Sequence, residues 1–120
     1  MRWNKLEVEC IEVGKPDVTI YRLSGGLTGS AESYQFLEDL RKQTRKHPSS
    51  VVINLEQVEH VSSAGVGILA ACYTSATNAD KRLCLSHVSN RVRMILDVVK
   101  ISDVLCIFET EKEAVEKICK

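Results

Sequence analysis

Residues 60–79 contain no Asp, Glu, Lys or Arg, although charged residues make up 27% of the chain. The gap invites a reading as a membrane span. Two serines and two glycines open it and Tyr73-Thr74-Ser75-Ala76-Thr77-Asn78 closes it, so its apolar middle falls well short of the roughly 20 residues a bilayer needs. Net charge is also missing. Sixteen basic residues balance sixteen acidic ones, so no overall field recruits nucleic acid or anionic lipid. The one basic cluster, Arg41-Lys42 with Arg45-Lys46-His47, has no aromatic residues interleaved as a nucleic-acid surface would. It fits the end of a helix, where cations complement the dipole. The five cysteines, Cys10, Cys72, Cys84, Cys106 and Cys119, form no C-x-x-C pair, and all but Cys119 lie in apolar runs. That pattern predicts small buried hydrophobes in a reduced, cytoplasmic interior rather than a disulfide framework. His47, His60 and His87 lack the H-x-x-x-H spacing of a helical metal site, so neither metal nor cofactor is expected. The start, Met1-Arg2-Trp3-Asn4-Lys5, leads into charged alternation without an apolar leader segment. At 120 residues and 13.4 kDa, without repeat, linker or low-complexity segment, residues 1–120 read as one domain.

What is present has α/β rhythm. Leu6, Val8 and Cys10 alternate with Glu7 and Glu9, the period of a half-buried strand. Gly14-Lys15-Pro16-Asp17 then turns the chain into a second strand over residues 18–23, giving an antiparallel pair. Ser24-Gly25-Gly26-Leu27-Thr28-Gly29-Ser30 reads as a glycine-rich loop that matches neither a P-loop nor G-x-G-x-x-G. Over residues 31–46, Phe36, Leu37, Leu40 and Thr44 share one helical stripe, and Pro48 ends that helix. Val51-Val52-Ile53-Asn54-Leu55 is apolar nearly throughout, as a central strand covered on both faces would be. The next helix, residues 63–78, carries Gly65, Ile68, Leu69, Cys72 and Ala76 as its core stripe, with Val66, Ala70 and Tyr73 uncharged on its other side. A strand at residues 82–86 follows, then a helix begun by Ser89 with Val92, Ile95, Leu96 and Val99 inward. A strand at residues 105–108 precedes a last helix, opened by a Thr110/Glu113 capping box and braced by Glu113 and Lys117.

The order of elements brings Ser62 and Ser63 to the point where the central strand hands over to the uncharged helix. A serine there caps the helix by accepting a backbone N–H. Strand, serine and helix also suggest a nucleophile elbow, but G-x-S-x-G requires glycine where Val61 stands. The nearby His60 has no evident acid to orient it, so an enzyme is not expected. A third use is phosphorylation, since a helix N-terminus accommodates the resulting anion. All six glycines lie at or before Gly67, which concentrates tight backbone work around these serines.

The same succession, with Val61-Ser62-Ser63-Ala64-Gly65-Val66 before Ile68-Leu69, Arg82-Leu83-Cys84-Leu85, and Val88-Ser89-Asn90-Arg91-Val92, resembles the STAS domain of bacterial anti-sigma factor antagonists. The resemblance spans residues 6–118 and implies a mixed sheet of four to five strands with about four helices. It implies that Ser63, with Ser62 as a substitute, is phosphorylated by a serine kinase that doubles as the anti-sigma factor. The unphosphorylated form would bind that kinase, and a PP2C-type phosphatase would restore it. Together with the uncharged far side of the 63–78 helix, a face that a helix apolar all round leaves for a partner, the expected partner face comprises Thr28, Ser62, Ser63, Ala64, Val66, Gly67, Ala70 and Tyr73. Family members often carry aspartate where this chain has Ser62 and Thr28. The alternative implied use is a constitutive interaction subunit of a transporter or sensory assembly.

Overall fold

Strand β3 (Ser50–Val61) lies at the centre of a five-stranded sheet ordered β1-β2-β3-β4-β5, with β1 (Leu6–Val13), β2 (Val18–Leu27), β4 (Leu83–Ser86) and β5 (Cys106–Phe108). The computed structural model describes residues 5–14, 17–98, 100 and 104–118. β1 runs antiparallel to β2, and every other pair is parallel. Helices α1 (Ala31–Lys46), α2 (Ser63–Asn78) and α3 (Asn90–Val98) connect successive parallel strands, and α4 (Glu111–Ile118) follows the last. Three crossovers stepping across a sheet in one direction, each right-handed, place their helices on one face. The burial agrees. Val51, Ile53 and Leu55 of β3 pack with Phe36, Leu40, Leu69, Cys72, Val92 and Leu96 from those helices. The opposite face buries Val52 with Val18, Ile20 and Cys84 against Ala114 and Ile118 of α4.

The sheet is therefore mixed, with five strands and four helices, and the central strand is covered on both faces as its sequence predicts. Two strands are longer than expected. β2 continues through Ser24-Gly25-Gly26-Leu27 and β3 through Glu56-Gln57-Val58-Glu59-His60-Val61, so half of the expected glycine-rich loop is strand. Register slips between Arg22 and Ser24 and between Gly25 and Gly26 accommodate the extension. Gly25 sits at φ 96°, where a side chain would be strained, and a Cβ there would overlap the Lys5 carbonyl oxygen. Glycine at a bulge thus extends the ribbon where it reads as a loop.

β1 also departs from its pattern. Leu6 is buried, but Val8 and Cys10 are exposed on this edge strand, and Cys106 on the opposite edge strand is exposed too. Only Cys72 and Cys84 are buried as expected, and Cys119 lies outside the described residues. Val99 and the Lys15-Pro16 centre of the first turn also lie outside them. In α4 the Glu113 N–H donates to Thr110 Oγ1 (3.1 Å), while the Glu113 carboxylate accepts from the Glu109 N–H rather than from Thr110 (3.2 Å). Lys117 pairs with Glu113 at 3.6 Å.

A polar tie at the start of α4 was not legible in the sequence. Arg22 donates two bonds to the Glu111 carboxylate, at 2.9 and 2.8 Å, and Asn54 Nδ2 donates to the same carboxylate at 3.0 Å. The Glu111 N–H donates to His87 Nε2 at 3.1 Å. α4 is thereby fastened to β2, β3 and the end of β4 by one residue. The bonds from Arg22, with help from Asn54, hold the Glu111 carboxyl below its ordinary pKa. A depressed carboxylate stabilises the fold above its unfolded pKa, and that stability is lost as pH falls through the folded value. Glu111→Gln is expected to lower stability at neutral pH by about 1–2 kcal/mol, the scale of hydrogen bonds to a charged group discounted for an exposed Arg22. Urea denaturation across pH should show that difference shrinking in acid; a pH-independent difference would contradict the assignment.

Candidate functional site

Val61 ends β3 buried at 3% exposure, and the next residue turns the chain out of the sheet. Ser62 is the N-cap of α2, with φ −92° and ψ 175°. Its N–H donates to the Leu27 carbonyl (3.1 Å), its carbonyl accepts the Val66 N–H (3.0 Å), and its Oγ accepts the Gly65 N–H (3.2 Å). All the bonding at the junction falls to Ser62. Ser63, the first helical residue, is exposed, and its hydroxyl has no hydrogen-bond partner among the described residues. The adjacent serines thus have separate duties, one structural and one free.

Gly65 fixes how closely this turn seats on the sheet. A Cβ there would overlap the Leu27 carbonyl oxygen, the same oxygen that accepts from Ser62. Next to it runs the turn from β2 to α1. A Cβ on Gly29 would stand 2.7 Å from the Ala64 Cβ and 3.9 Å from the Tyr34 ring. Ser30 caps α1 by accepting the Ser33 N–H (3.3 Å), and the Thr28 N–H donates to Ser33 Oγ (3.3 Å). β2 and β3 are parallel neighbours, so the helices that follow them start side by side at the carboxyl ends of the strands, where open α/β sheets present their sites.

Of the residues expected on the partner face, Thr28, Ser62, Ser63, Ala64 and Gly67 lie on this surface, and Ala70 is half-buried one turn further on. Two lie off it. Val66 is buried at 6% exposure within the core. Tyr73 is half-buried, packed against the core on the flank of α2 that faces Cys106 and Phe108, roughly a quarter turn from the outward stripe. An uncharged helix gives periodicity little to separate faces with. The outward stripe is instead Ser63, Gly67, Ala70, Thr74 and Asn78, with no side chain larger than asparagine. Tyr34, which the sequence did not single out, stands beside this surface. It is 51% exposed on the first turn of α1, its ring 3.9 Å from where a Cβ on Gly29 would stand, an exposed aromatic beside a surface of small residues.

Chemically the site offers one outward hydroxyl at a helix N-terminus and no charged side chain on the helix itself. Cys72, beneath it, is no second nucleophile, since burial pushes its thiol up to about 12. Among the described residues no cluster of His, Cys, Asp or Glu is arranged to hold a metal ion, and no helix is long and apolar enough to cross a membrane.

The division between the serines predicts unequal mutants. Ser62→Ala is expected to cost about 1 kcal/mol of stability and Ser63→Ala less than about 0.5 kcal/mol. Chemical denaturation distinguishes them, and the reverse order would place the cap on the wrong residue. The two glycines differ similarly. Gly67 has open space where its Cβ would be, so Gly67→Ala should stabilise by up to about 1 kcal/mol through helix propensity. Gly65→Ala meets the Leu27 carbonyl and should destabilise by about 2 kcal/mol, overpacking outweighing propensity.

The STAS domain family model matches residues 11–114. An anti-sigma factor antagonist from Mycobacterium paratuberculosis superposes with a TM-score of 0.82 at 16% identity, covering 98% of this chain and 97% of that one. The anti-sigma factor antagonist SpoIIAA in its unphosphorylated form gives 0.76 at 18% identity, covering 93% and 97%; the Bacillus protein in its phosphorylated form gives 0.74. A sulfate transporter family protein from Wolinella succinogenes gives 0.68 at 18% identity, covering 81% and 80%. With the model matching most of its length and the fold shared throughout, this chain belongs to the STAS domain family.

Proposed function

We propose that this STAS domain is a regulatory binding module of the anti-sigma factor antagonist type, switched by phosphorylation at Ser63. Unphosphorylated, it binds a cytoplasmic anti-sigma factor that is also its serine kinase; phosphorylated, it lets go, and a PP2C-type phosphatase resets it. The observation that carries this reading is the exposed, unbonded hydroxyl of Ser63 beside a Ser62 already engaged as the cap. A kinase can take Ser63 without dismantling the helix start, whereas Ser62 would have to surrender its bond to Gly65.

The energetics favour a switch that changes binding and leaves the fold alone. A phosphate brings a charge of about −1.5 to −2, and a helix N-terminus favours a negative charge by about 0.3–2 kcal/mol. Against a partner the sign can reverse. A facing carboxylate at about 4 Å costs on the order of 4 kcal/mol at intermediate dielectric, equivalent to about a thousandfold in affinity. The docking surface is the stripe Ser63, Gly67 and Ala70 with Ala64, the Thr28 turn and Tyr34.

The likeness to a transporter family protein favours a second reading, a constitutive interaction subunit using the same helix without a phosphate cycle. Incubation with serine kinases and ATP, followed by mass spectrometric mapping, separates the two. Phosphate is expected on Ser63 with the melting temperature essentially unchanged, and Ser63→Asp is expected to weaken capture of the anti-sigma partner by at least a hundredfold. An unlabelled Ser62–Ser63 peptide, or a Ser63→Asp variant that binds its partner undiminished, transfers the assignment to the constitutive reading.

A further inference from the structure

The basic cluster at the end of α1 has no part in the phosphate switch, yet it borders a groove of about 850 Å³ between α1 and α2. Arg41 and Arg45 form one wall, with Ala71, Thr74, Ser75 and Asn78 of α2 opposite, and no acidic side chain lines it. Arg41 shares one N–H with Glu38 at 2.9 Å, which leaves the rest of its guanidinium available. Arg45, Ser75 and Asn78 have no side-chain hydrogen-bond partner or ion pair among the described residues. Cations in the last turn of α1 complement that helix's own dipole. The dipole explains Arg45 and Lys46 on α1, but it does not explain unused donors facing them from α2 across an acid-free groove.

The groove is continuous with the docking stripe. Ser63, Gly67, Ala70, Thr74 and Asn78 follow one face of α2, and the last two reach the groove. Side chains this small let a second helix approach at the near end of the usual 8–10 Å axial range. A partner segment lying along the stripe from Ser63 would arrive between Arg41 and Arg45.

We propose that this groove is a second, phosphate-independent contact of the docking surface, and that its occupant is an acidic segment of a protein partner presenting Asp or Glu side chains. The proposal rests on the reading of α2 as the partner face. Guanidinium groups pair with carboxylates in a bidentate fork, and Ser75 and Asn78 supply further donors. Thr74 lies about 17 Å along the helix from Ser63 at 1.5 Å per residue, about two Debye lengths at physiological salt. Charge added at Ser63 is therefore not felt in the groove. The partner would be held at one end of α2 while being released or retained at the other.

The test uses the unphosphorylated full chain, isotope-labelled for amide NMR, titrated with a helical 15-residue peptide of alanine and leucine carrying glutamate at every fourth position. Shifts are expected at Arg45, Ala71, Thr74, Ser75 and Asn78. Arg41→Glu with Arg45→Glu should weaken binding at least tenfold, and Asn78→Asp, a milder change that introduces like charge, by about threefold. Ser63→Asp should leave it within twofold. The glutamine version of the peptide and a 12-nucleotide single-stranded DNA serve as comparisons. Absence of groove shifts at millimolar peptide, equal binding of the glutamine peptide, or displacement by the DNA at lower concentration would each overturn the acidic-protein assignment, the last in favour of nucleic acid. Because every arm uses unphosphorylated protein, a failed kinase assay at Ser63 leaves these outcomes untouched.

Discussion

One backbone oxygen organises the functional end of this domain. The Leu27 carbonyl accepts the Ser62 N–H and lies against the Cα of Gly65, so the last residue of β2 sets both the start and the depth of α2. A larger residue at position 65 would lift the helix, and a shorter β2 would leave the Ser62 N–H unanswered. The bulged extension of β2 and β3 exists to bring that oxygen within reach. Ser62 fills the capping role in this seating, and Ser63 follows it with its side chain exposed.

The sheet's two faces divide the remaining work. Right-handed crossovers commit α1, α2 and α3 to one side, and their packing builds the larger core, including the edge-on pair of Tyr21 and Phe36 with ring centroids 5.4 Å apart. Among the described residues α4 alone closes the other side. So short a helix is marginal by propensity alone, and it is held by burial of Ala114 and Ile118 together with the Arg22–Glu111–Asn54 tie. The polar tie therefore serves as an anchor on the face away from Ser63. The proposed docking stripe and the anchor do not share a residue, so substitutions in one leave the other's contacts in place.

The elements of this fold were largely readable because each carries a strong local signal. Phe36, Leu37, Leu40 and Thr44 at helical spacing mark the buried side of α1, and they are the residues found there, joined by Ser33. The unbroken apolar run of β3 marks a strand covered twice. What was not readable depends on contacts distant in sequence. Whether Ser24 to Leu27 is loop or strand is decided by Lys5 and β3, and Val8 and Cys10 are exposed on a strand that has a sheet neighbour on one side alone. The site divides the same way. Ser62 and Ser63 announce themselves by position, but the burial of Val66 and the packing of Tyr73 on the flank are not readable, because α2 has no charges to mark its wet side. Tyr34 was missed because its importance comes from a neighbour, Gly29, that precedes its own helix.

That absence of charge on α2 is itself the strongest physical argument for a switch. A phosphate on a helix already carrying lysines or arginines in the next turn would be partly neutralised where it stands, through i,i+3 and i,i+4 pairs of a few tenths of a kcal/mol each. Here no Lys or Arg follows Ser63 until Lys81, beyond the end of the helix. The added charge would have only the helix N-terminus to complement it, worth at most about 2 kcal/mol. That is enough to keep the first turn formed and too little to hide two negative charges from an approaching surface. A partner built to lie against Ser, Gly and Ala side chains buries little polar area with the hydroxyl in place, and must desolvate an anion with the phosphate there. On the proposed function, the same small, uncharged stripe that would permit close docking would make docking sensitive to a single modification at its end.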